Sequence, residues 1–402
     1  MTAAPSPLPA SRIVALDFLR GAAVLGILIA NLPGFALPQA GYFSPVAWGG
    51  TAPADVTIWA LTFVLVEGKM RGLFAMLFGA SMLLVIERAD ARGANGAALH
   101  LRRMGSLFAI GCAHLYGVWQ GDILNLYALV GVIALLFVNA PVALLLLAGA
   151  GALLVATLDG LALAAMAARA ATRPALEQAF GHPPAATLWR EIAALRGPWT
   201  ANVAWRWSQA MSPLAGLLAN GPETLAYMLF GMAGLRSGFL TGAWPRRRYA
   251  LVAGVTLAAT LPVYALLAWR TIVLGFDVGA VVFASFVVST ALRPLTVGGY
   301  AALLLLVLHR RGDDGGRIAT AGRVALSNYL ACSIAFTALF YGWGAGQFAR
   351  WGRATLYLLL PVAWAMMLTW PRWWLGRFAH GPAEYMWRLV TRDAPEPSRA
   401  AK

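Results

Sequence analysis

The sequence predicts an all-α protein, a polytopic transmembrane helix bundle of about ten spans. Of its 402 residues, 60% are hydrophobic and only 12% are charged, and the mean hydropathy is +0.69. Apolar runs of about 18–25 residues recur along the chain, and each is long enough to cross a bilayer as a helix. We therefore expect one membrane-embedded bundle instead of a set of water-soluble domains.

The net charge of +15 also fits a membrane protein. The basic residues gather in short segments between apolar runs, which is the distribution that positive-inside sorting produces. They can also contact anionic lipid headgroups or an anionic substrate. We therefore predict the lipid bilayer as a partner and expect no nucleic-acid partner.

The first predicted span covers residues 13–35 and contains Asp17 and Arg20. Residues 1–11 carry no basic stretch, and the span has no small-residue cleavage site, so we predict a retained helix and not a signal peptide. The following link, residues 36–56, has neither Lys nor Arg and is therefore placed outside.

Residues 57–86 form an apolar run that is interrupted by the sequence EGKMRG at 67–72. The run is longer than one perpendicular crossing needs, so either it is one long tilted helix or the glycines open a break. The basic segment that follows, with Arg88, Arg92, Arg102 and Arg103, is placed in the cytoplasm.

Three further N-terminal spans are predicted at 105–119, 123–139 and 141–168, with an outer turn at 120–122. The polar residues 169–200 are predicted to form an external link with a short helix or two. Residues 201–219 are rich in Trp and are expected to lie along the membrane interface.

The C-terminal part is predicted to form spans at 222–240, 249–270, 322–343 and 353–370. Residues 271–309 have the length of two helices, which we expect to be split at Arg293-Pro294, with one piece only partly inserted. Basic flanking residues place both termini in the cytoplasm. The predicted organisation is an N-terminal five-span bundle with a polar core (1–168), a polar link with an interfacial helix (169–221) and a C-terminal bundle with a basic tail (222–402).

A polar stripe runs along the first span. Asp17 and Arg20 are three residues apart and can pair on one helical face, and Asn31 returns to nearly the same face about three turns later. Because lipid cannot satisfy such groups, the stripe must face the protein interior or a wet cavity. Asp17 and Arg20 form either a structural ion pair or a site at which Arg20 binds an anionic group entering from the cytoplasm. Asn31 is either a packing amide between helices or a catalytic one.

Three charged residues, Glu67, Lys69 and Arg71, lie inside an apolar run, where each ionised group costs a few kcal/mol or more. Glu67 and Arg71 are four residues apart and can neutralise each other on a helix. Three charges exceed what anchoring needs, so we expect them to contact substrate or to line a wet cavity.

His114 is predicted to be the only histidine well within a span. It is either a hydrogen-bonded packing residue or, with Asp122 at the next turn and Asn125 nearby, a general base that deprotonates a hydroxyl or amine. No metal-binding or nucleotide-binding motif stands in a suitable context, so we expect no metal cofactor. In the last hairpin, Asn328 is a further candidate for substrate binding.

At these residues the sequence resembles the YeiB-like family of bacterial inner-membrane proteins. The matching motifs span residues 12 to about 390 and keep a common order: LDFLRGAAVLGILIAN (16–31), EGKMRGLFAMLFGAS (67–81), His114 with GDILNLYAL (121–129), GRVALSNYL (322–330), FYGWGAG (340–346) and GPAEYMWRL (381–389). That family is similar to the wider transmembrane acyltransferase superfamily, which uses cytoplasmic acyl-CoA to acylate a sugar or similar acceptor across the membrane.

The resemblance implies an acyl transferase in the inner membrane, with acyl-CoA as donor substrate and with Arg20 and residues 67–71 shaping the donor site. Acyltransferase-3 proteins carry the pattern R-x10-H in their first helix, and Asn31 stands here in place of that histidine. Either His114 supplies the base, with Asp122 orienting it and Asn31 donating to the developing oxyanion, or the activity has been lost or changed. The alternative is a transporter or lipid-handling protein whose intramembrane charges line a pathway.

Overall fold

The computed structural model describes residues 13–312 and 314–391, and every regular element in that part of the chain is a helix. The α-helices are, in chain order, α1 (Val14–Ala36), α2 (Gln39–Phe43), α3 (Pro53–Leu65), α4 (Lys69–Asp90), α5 (Gly96–Gly117), α6 (Leu124–Ala134), α7 (Val142–Ala168), α8 (Arg173–Phe180), α9 (Ala185–Arg196), α10 (Trp199–Gln209), α11 (Pro213–Arg236), α12 (Arg246–Val273), α13 (Val278–Val282), α14 (Ser289–Arg311), α15 (Gly316–Arg323), α16 (Ala325–Phe340), α17 (Arg353–Leu356), α18 (Leu360–Leu375) and α19 (Pro382–Thr391).

Within the described residues, six helical segments are long and apolar enough to cross a membrane, and α15 with α16, bent by 81°, would make a seventh. The prediction of an all-α polytopic bundle is therefore confirmed, and the chain is a multi-pass membrane protein. Helices α5 and α11 have the length of a span but a less apolar composition, and α6 is shorter. The remaining spans of the predicted ten stay predictions.

The spans form an inner and an outer layer. In the most apolar window of α1, 61% of the residues are buried, and the value is the same for the segment that contains α3 and α4. The corresponding value is only 17% for α7 and 22% for α12 and α18. Because exposed apolar side chains of such a protein face lipid, α1 and α4 form the core and the other three helices surround it.

The apolar run at 57–86 is broken and not one continuous helix. Helix α3 ends at Leu65 and α4 begins at Lys69, with Gly68 between them in the left-handed conformation, at φ 70°. Glycine adopts this conformation without strain because it has no Cβ. A Cβ at this position would also lie 2.3 Å from Nε of Arg293, so the absence of a side chain lets that guanidinium pack against the break.

Two predicted boundaries are wrong. Helix α11 already begins at Pro213 and runs without interruption through Pro222, where the sequence suggested a helix start. The helix from Val278 to Arg311 is also continuous and is not split at Arg293-Pro294. A turn of π-helix, Phe283–Val288, precedes Pro294, and local π-helical adjustment lets membrane helices absorb a proline.

Helices α4 and α11 cross at glycines. A Cβ at Gly79 of α4 would lie 2.1 Å from the carbonyl oxygen of Met228, and one at Gly231 of α11 would lie 1.8 Å from that of Met76. Small residues allow such backbone contact between membrane helices, where dispersion forces supply much of the association energy. The crossing also sets the distance between the polar side chains that the two helices carry.

We expect Gly231→Ala to lower the free energy of unfolding by about 1–3 kcal/mol or more, because the new methyl group overlaps the backbone of α4. The measurement is thermal unfolding of the purified protein in detergent. Gly254→Ala on α12 is the matched control, since nothing lies within 4 Å of a Cβ built there. Equal stability of the two variants would contradict the described crossing.

The polar link between α7 and α11 is docked on the N-terminal part of the chain. The side chain of Glu191 in α9 is only 7% exposed and accepts a hydrogen bond of 2.9 Å from the backbone N–H of Gln39. Burial raises the pKa of Glu191 to about 7, although the bond from Gln39 favours the carboxylate. The folded protein therefore favours the protonated form of this side chain.

Because the folded-state pKa exceeds the ordinary 4.5, the contribution of Glu191 to stability is full below about pH 4.5 and is lost as the pH rises through about 7. We expect Glu191→Gln to flatten the fall in unfolding temperature between about pH 5 and pH 8. Glu177→Gln on the neighbouring α8, whose carboxylate is partly exposed beside Arg173, is the control and should keep the wild-type profile. An unchanged profile in Glu191→Gln would refute the assignment.

Candidate functional site

A cavity of about 520 Å³ opens on the face that the charge distribution predicts to be cytoplasmic. Its walls come from α1, α4, α5, α6, α15, α16 and α19, and its interior is mainly apolar, with side chains such as Val24, Ile27, Phe74 and Phe78. A pocket with apolar walls and a few polar groups is the usual form of a small-molecule site.

The polar stripe of α1 lies on one wall of this cavity. Arg20 donates to Asp17 at 3.1 Å, as predicted, and also to the hydroxyl of Ser81 on α4 at 2.6 Å. These two bonds fix the guanidinium on the wall. The same helical face continues through Val24 and Ile27, which are apolar and also line the cavity. Asn31 lies one turn beyond Ile27, the last α1 residue in the lining.

The cavity has a basic rim. Five arginines line it against two carboxylates, and these residues are Arg20, Arg88, Arg103, Arg323, Arg388, Asp17 and Glu384. The guanidinium of Arg103 lies 4.0 Å from the ring centroid of Trp387, a cation–π contact that fixes the rim. Glu384 accepts from the backbone N–H groups of Leu326 and Ser327, so its charge caps α16. The rim therefore favours an anionic ligand.

His114 and Asp122 form a buried pair near the other end of α5. Nδ1 of His114 lies 2.8 Å from Oδ1 of Asp122, and Oδ2 of Asp122 accepts from the backbone N–H and the side-chain amide of Asn125. Because the carboxylate is an acceptor, it holds the proton of His114 on Nδ1 and leaves Nε2 as the basic atom. Nε2 is buried and has no hydrogen-bond partner. This geometry is the orientation that a general base needs.

Two tyrosines connect the deep end of the cavity to polar groups behind it. Tyr329 lines the cavity, and its ring centroid is 5.3 Å from that of His114. Tyr127 also lines the cavity, and its hydroxyl donates to the backbone carbonyl of Arg71 at 3.1 Å. His114 and Arg71 are thus each one residue removed from the cavity, and neither lines it.

The charged residues around the break between α3 and α4 do not pair as the sequence suggested. The prediction that Glu67 and Arg71 pair on one helix is wrong, because α3 ends at Leu65 and α4 begins at Lys69, so Glu67 lies in the turn between them. Arg71 instead pairs with Glu223 of α11 at 2.7 Å, and Glu223 also binds Arg293 of α14. One carboxylate therefore serves two guanidinium groups on two other helices.

Lys69 is buried at the same break and is 1% exposed. Its Nζ donates to the backbone carbonyl of Phe63 at 2.7 Å and lies 3.6 Å from the ring centroid of Tyr264. No ion pair is formed by Lys69 within the described residues, so a carbonyl and an aromatic ring replace a counter-ion.

Two other residues are placed differently from expectation. The amide of Asn328 contacts the carbonyls of Ala321 and Met367 and accepts from Trp370, and it does not line the cavity. His100 lies outside the predicted spans but is buried inside α5, where its Nε2 lies 3.0 Å from the carbonyl oxygen of Gly131, and it lines the cavity.

Sequence reasoning missed the roles of Glu223, Arg293, Ser81 and Tyr329. Glu223 and Arg293 lie in apolar runs, so their charge was a usable signal, but adjacent prolines made each look like a helix boundary. Ser81 and Tyr329 carry no comparable signal, because hydroxyl groups are common in membrane helices. Within residues 13–312 and 314–391, no group of three or more His, Cys, Asp and Glu side chains is arranged to hold a metal ion.

The fold and these contacts define a multi-pass helical membrane protein with a basic cavity and a buried His–Asp pair behind it. Its sequence is 33% identical to the "Uncharacterized protein YeiB" of Escherichia coli (strain K12), over 96% of this chain and 98% of that protein. It is 28% identical to the "Uncharacterized protein YxaH" of Bacillus subtilis (strain 168), over 94% of both. Residues 234–393 match the family described as "Protein of unknown function (DUF418)". The chain belongs to the YeiB-like family.

Glu223→Gln should lower the free energy of unfolding by about 3–5 kcal/mol, because it leaves the buried guanidinium of Arg293 and the partly exposed one of Arg71 without their carboxylate. The measurement is denaturant or thermal unfolding in detergent micelles. Glu87→Gln is the matched control: this carboxylate also binds an arginine, Arg236, but its side chain is 33% exposed. A partly exposed pair contributes less than about 1 kcal/mol, so similar losses in both variants would argue against a special role for Glu223.

Proposed function

We propose that this protein is a transmembrane acyltransferase, which moves an acyl group from a cytoplasmic acyl-CoA to a hydroxyl or amine acceptor. The observation that carries the proposal is the unpartnered, buried Nε2 of His114. Asp122 holds this imidazole in place, and its ring centroid lies 5.3 Å from that of Tyr329, which lines the basic cavity. A binding site for an anionic donor and a general base thus lie next to each other.

The proposed donor enters the cavity from its basic rim. Phosphate groups of acyl-CoA bind Arg103, Arg388 and neighbouring arginines, for which guanidinium groups are well suited. Arg20, fixed by Asp17 and Ser81, lies farther along the same wall and binds a polar group of the pantetheine arm or a phosphate. The apolar interior then receives the acyl end with its thioester.

In the proposed reaction, Nε2 of His114 removes the proton of the acceptor hydroxyl or amine. The acceptor oxygen or nitrogen attacks the thioester carbon, and the carbon–sulfur bond breaks. The thiolate of CoA leaves and takes up the proton from His114. Asp122 and Asn125 keep the imidazole in the required orientation, and Tyr329 moves aside when substrate is bound. Asn31, whose side-chain amide has no hydrogen bond within the described residues, is the proposed donor to the developing oxyanion.

A second function, transport, is supported by a different observation. Ionisable side chains surround the break between α3 and α4, and broken helices in transporters form binding sites near the middle of the membrane. In that case Glu67, Lys69 and Arg71 contact a transported substrate and His114 has no chemical role. The two functions differ in whether acyl-CoA is consumed.

The test uses acetyl-CoA labelled with carbon-14 in the acetyl group, added to inverted vesicles that contain the protein. We expect label to be transferred to a membrane-associated acceptor, and His114→Gln to reduce this transfer by about 10²–10⁴-fold because the general base is lost. Asp122→Asn should also reduce it, because the imidazole is no longer held in the required tautomer. Acetyl-CoA binding to either purified variant, measured by equilibrium dialysis, should stay within about twofold of wild type.

One control and one binding variant make this result interpretable. His182→Gln, on an exposed loop histidine, should transfer label at the wild-type rate. Arg20→Gln should weaken acetyl-CoA binding by about tenfold or more, since a charge-assisted hydrogen bond is lost. Full activity of His114→Gln, or no binding of acetyl-CoA, would refute acyl transfer. Substrate counterflow in proteoliposomes without acyl-CoA would instead support transport.

A further inference from the structure

We infer that the protein has a second binding site, separate from the cavity, at the break between α3 and α4, and that this site takes a singly charged oxyanion. The ligand group is a carboxylate or a phosphodiester. The site is formed by Arg71, Arg293 and Arg353 around the carboxylates of Glu67 and Glu223. It does not depend on acyl transfer.

The first argument is the balance of charge. Lys69, Arg71, Arg293 and Arg353 supply four cations, and the carboxylates that interact with them electrostatically are Glu67, Glu223 and Asp55. The group therefore has a formal excess of one positive charge in a largely buried position, where charge is costly unless it is compensated. One monoanion would neutralise it.

The second argument is that hydrogen-bond donors around these carboxylates lack partners. Nε of Arg293, Nε of Arg353 and the hydroxyl of Tyr227 are all buried without a hydrogen bond. The other two guanidinium nitrogens of Arg293 bind Glu223 and the carbonyl of Ser285, and one terminal nitrogen of Arg353 binds the carbonyl of Gly41. Buried polar groups are nearly always satisfied, so three orphaned donors in one group indicate a missing acceptor.

The third argument is access. The side chain of Arg71 is 29% exposed and Glu67 is half-buried, yet neither lines the cavity with the basic rim. The group therefore opens elsewhere on the molecule. The guanidinium of Arg353 binds the carbonyl of Gly41 in α2, so the group lies beside the link between α1 and α3. That link is the part of the chain predicted to lie outside.

A cation or proton pathway is the opposing interpretation, and Glu67 distinguishes the two. Its carboxylate makes no hydrogen bond or ion pair within the described residues, so Glu67→Gln changes charge with little effect on packing. For an anion site, the substitution increases the positive excess and should tighten anion binding. For a cation site, it removes a carboxylate that neither an arginine nor a backbone N–H holds within the described residues, whereas Asp55 accepts from the backbone N–H of Ala354.

The experiment measures thermal unfolding of the full-length protein in detergent at constant ionic strength. Sodium acetate and dimethyl phosphate are the water-soluble probes, and short-chain phosphatidylglycerol is the lipid probe, with the zwitterionic short-chain phosphatidylcholine as its control. A ligand that binds only the folded state raises the unfolding temperature in proportion to its occupancy. We expect an anionic probe to raise the unfolding temperature. Compared with wild type, the probe concentration that gives half of this effect should be about tenfold lower in Glu67→Gln and at least tenfold higher in Arg71→Gln.

Two further variants locate the bound anion. Arg247→Gln removes an exposed arginine and should respond as wild type, and Arg353→Gln removes an arginine of the proposed site and should need at least tenfold more anion for the same stabilisation. If only phosphatidylglycerol stabilises the protein, the site binds a lipid headgroup, and if acetate or dimethyl phosphate suffices, it binds a soluble anion. An unchanged response in Arg353→Gln, weaker binding in Glu67→Gln, or no stabilisation by any anionic probe would overturn the inference.

Discussion

Glu223 satisfies the constraint on which the rest of the interior depends. An ionised group inside a membrane protein must find its partner within the protein, because lipid provides none. Glu223 of α11 binds Arg71 of α4 and Arg293 of α14, so a single carboxylate links three helices that are far apart in sequence. Its position depends on backbone contact between α4 and α11 at Gly79 and Gly231. Close packing and charge compensation are therefore achieved by the same crossing.

The interior is organised around the deep end of the cavity. Tyr329 separates the cavity from His114, and the hydroxyl of Tyr127 binds the backbone of Arg71. A reaction across a membrane needs a donor site on one side and an acceptor site on the other, with a reactive group between them. We favour acyl transfer over transport because a basic cavity and a buried imidazole with a free Nε2 suit the first and last of these requirements.

Much of the candidate site was predictable from residue type alone. Asp17 and Arg20 pair as their spacing implies, and His114 binds Asp122 across the turn that follows α5. Pairing failed as a guide at Glu67 and Arg71, because the i, i+4 rule assumes a continuous helix and Gly68 interrupts it. The rule that a proline marks a helix boundary failed at Pro222 and Pro294. It holds in water, whereas in a membrane protein neighbouring helices and π-helical turns satisfy the backbone groups that a proline leaves without hydrogen bonds.

The sequence by itself determined the class of protein, its all-helical fold and its family, because hydropathy and motif order are properties of the chain read along its length. It also identified most of the polar side chains that lipid cannot satisfy. Only the tertiary structure decided which of them meet. Arg71 and Glu223 are 152 residues apart, and no local periodicity relates them. Helix crossings and the backbone conformation of Gly68 place each charge beside its partner, and both depend on contacts between distant segments.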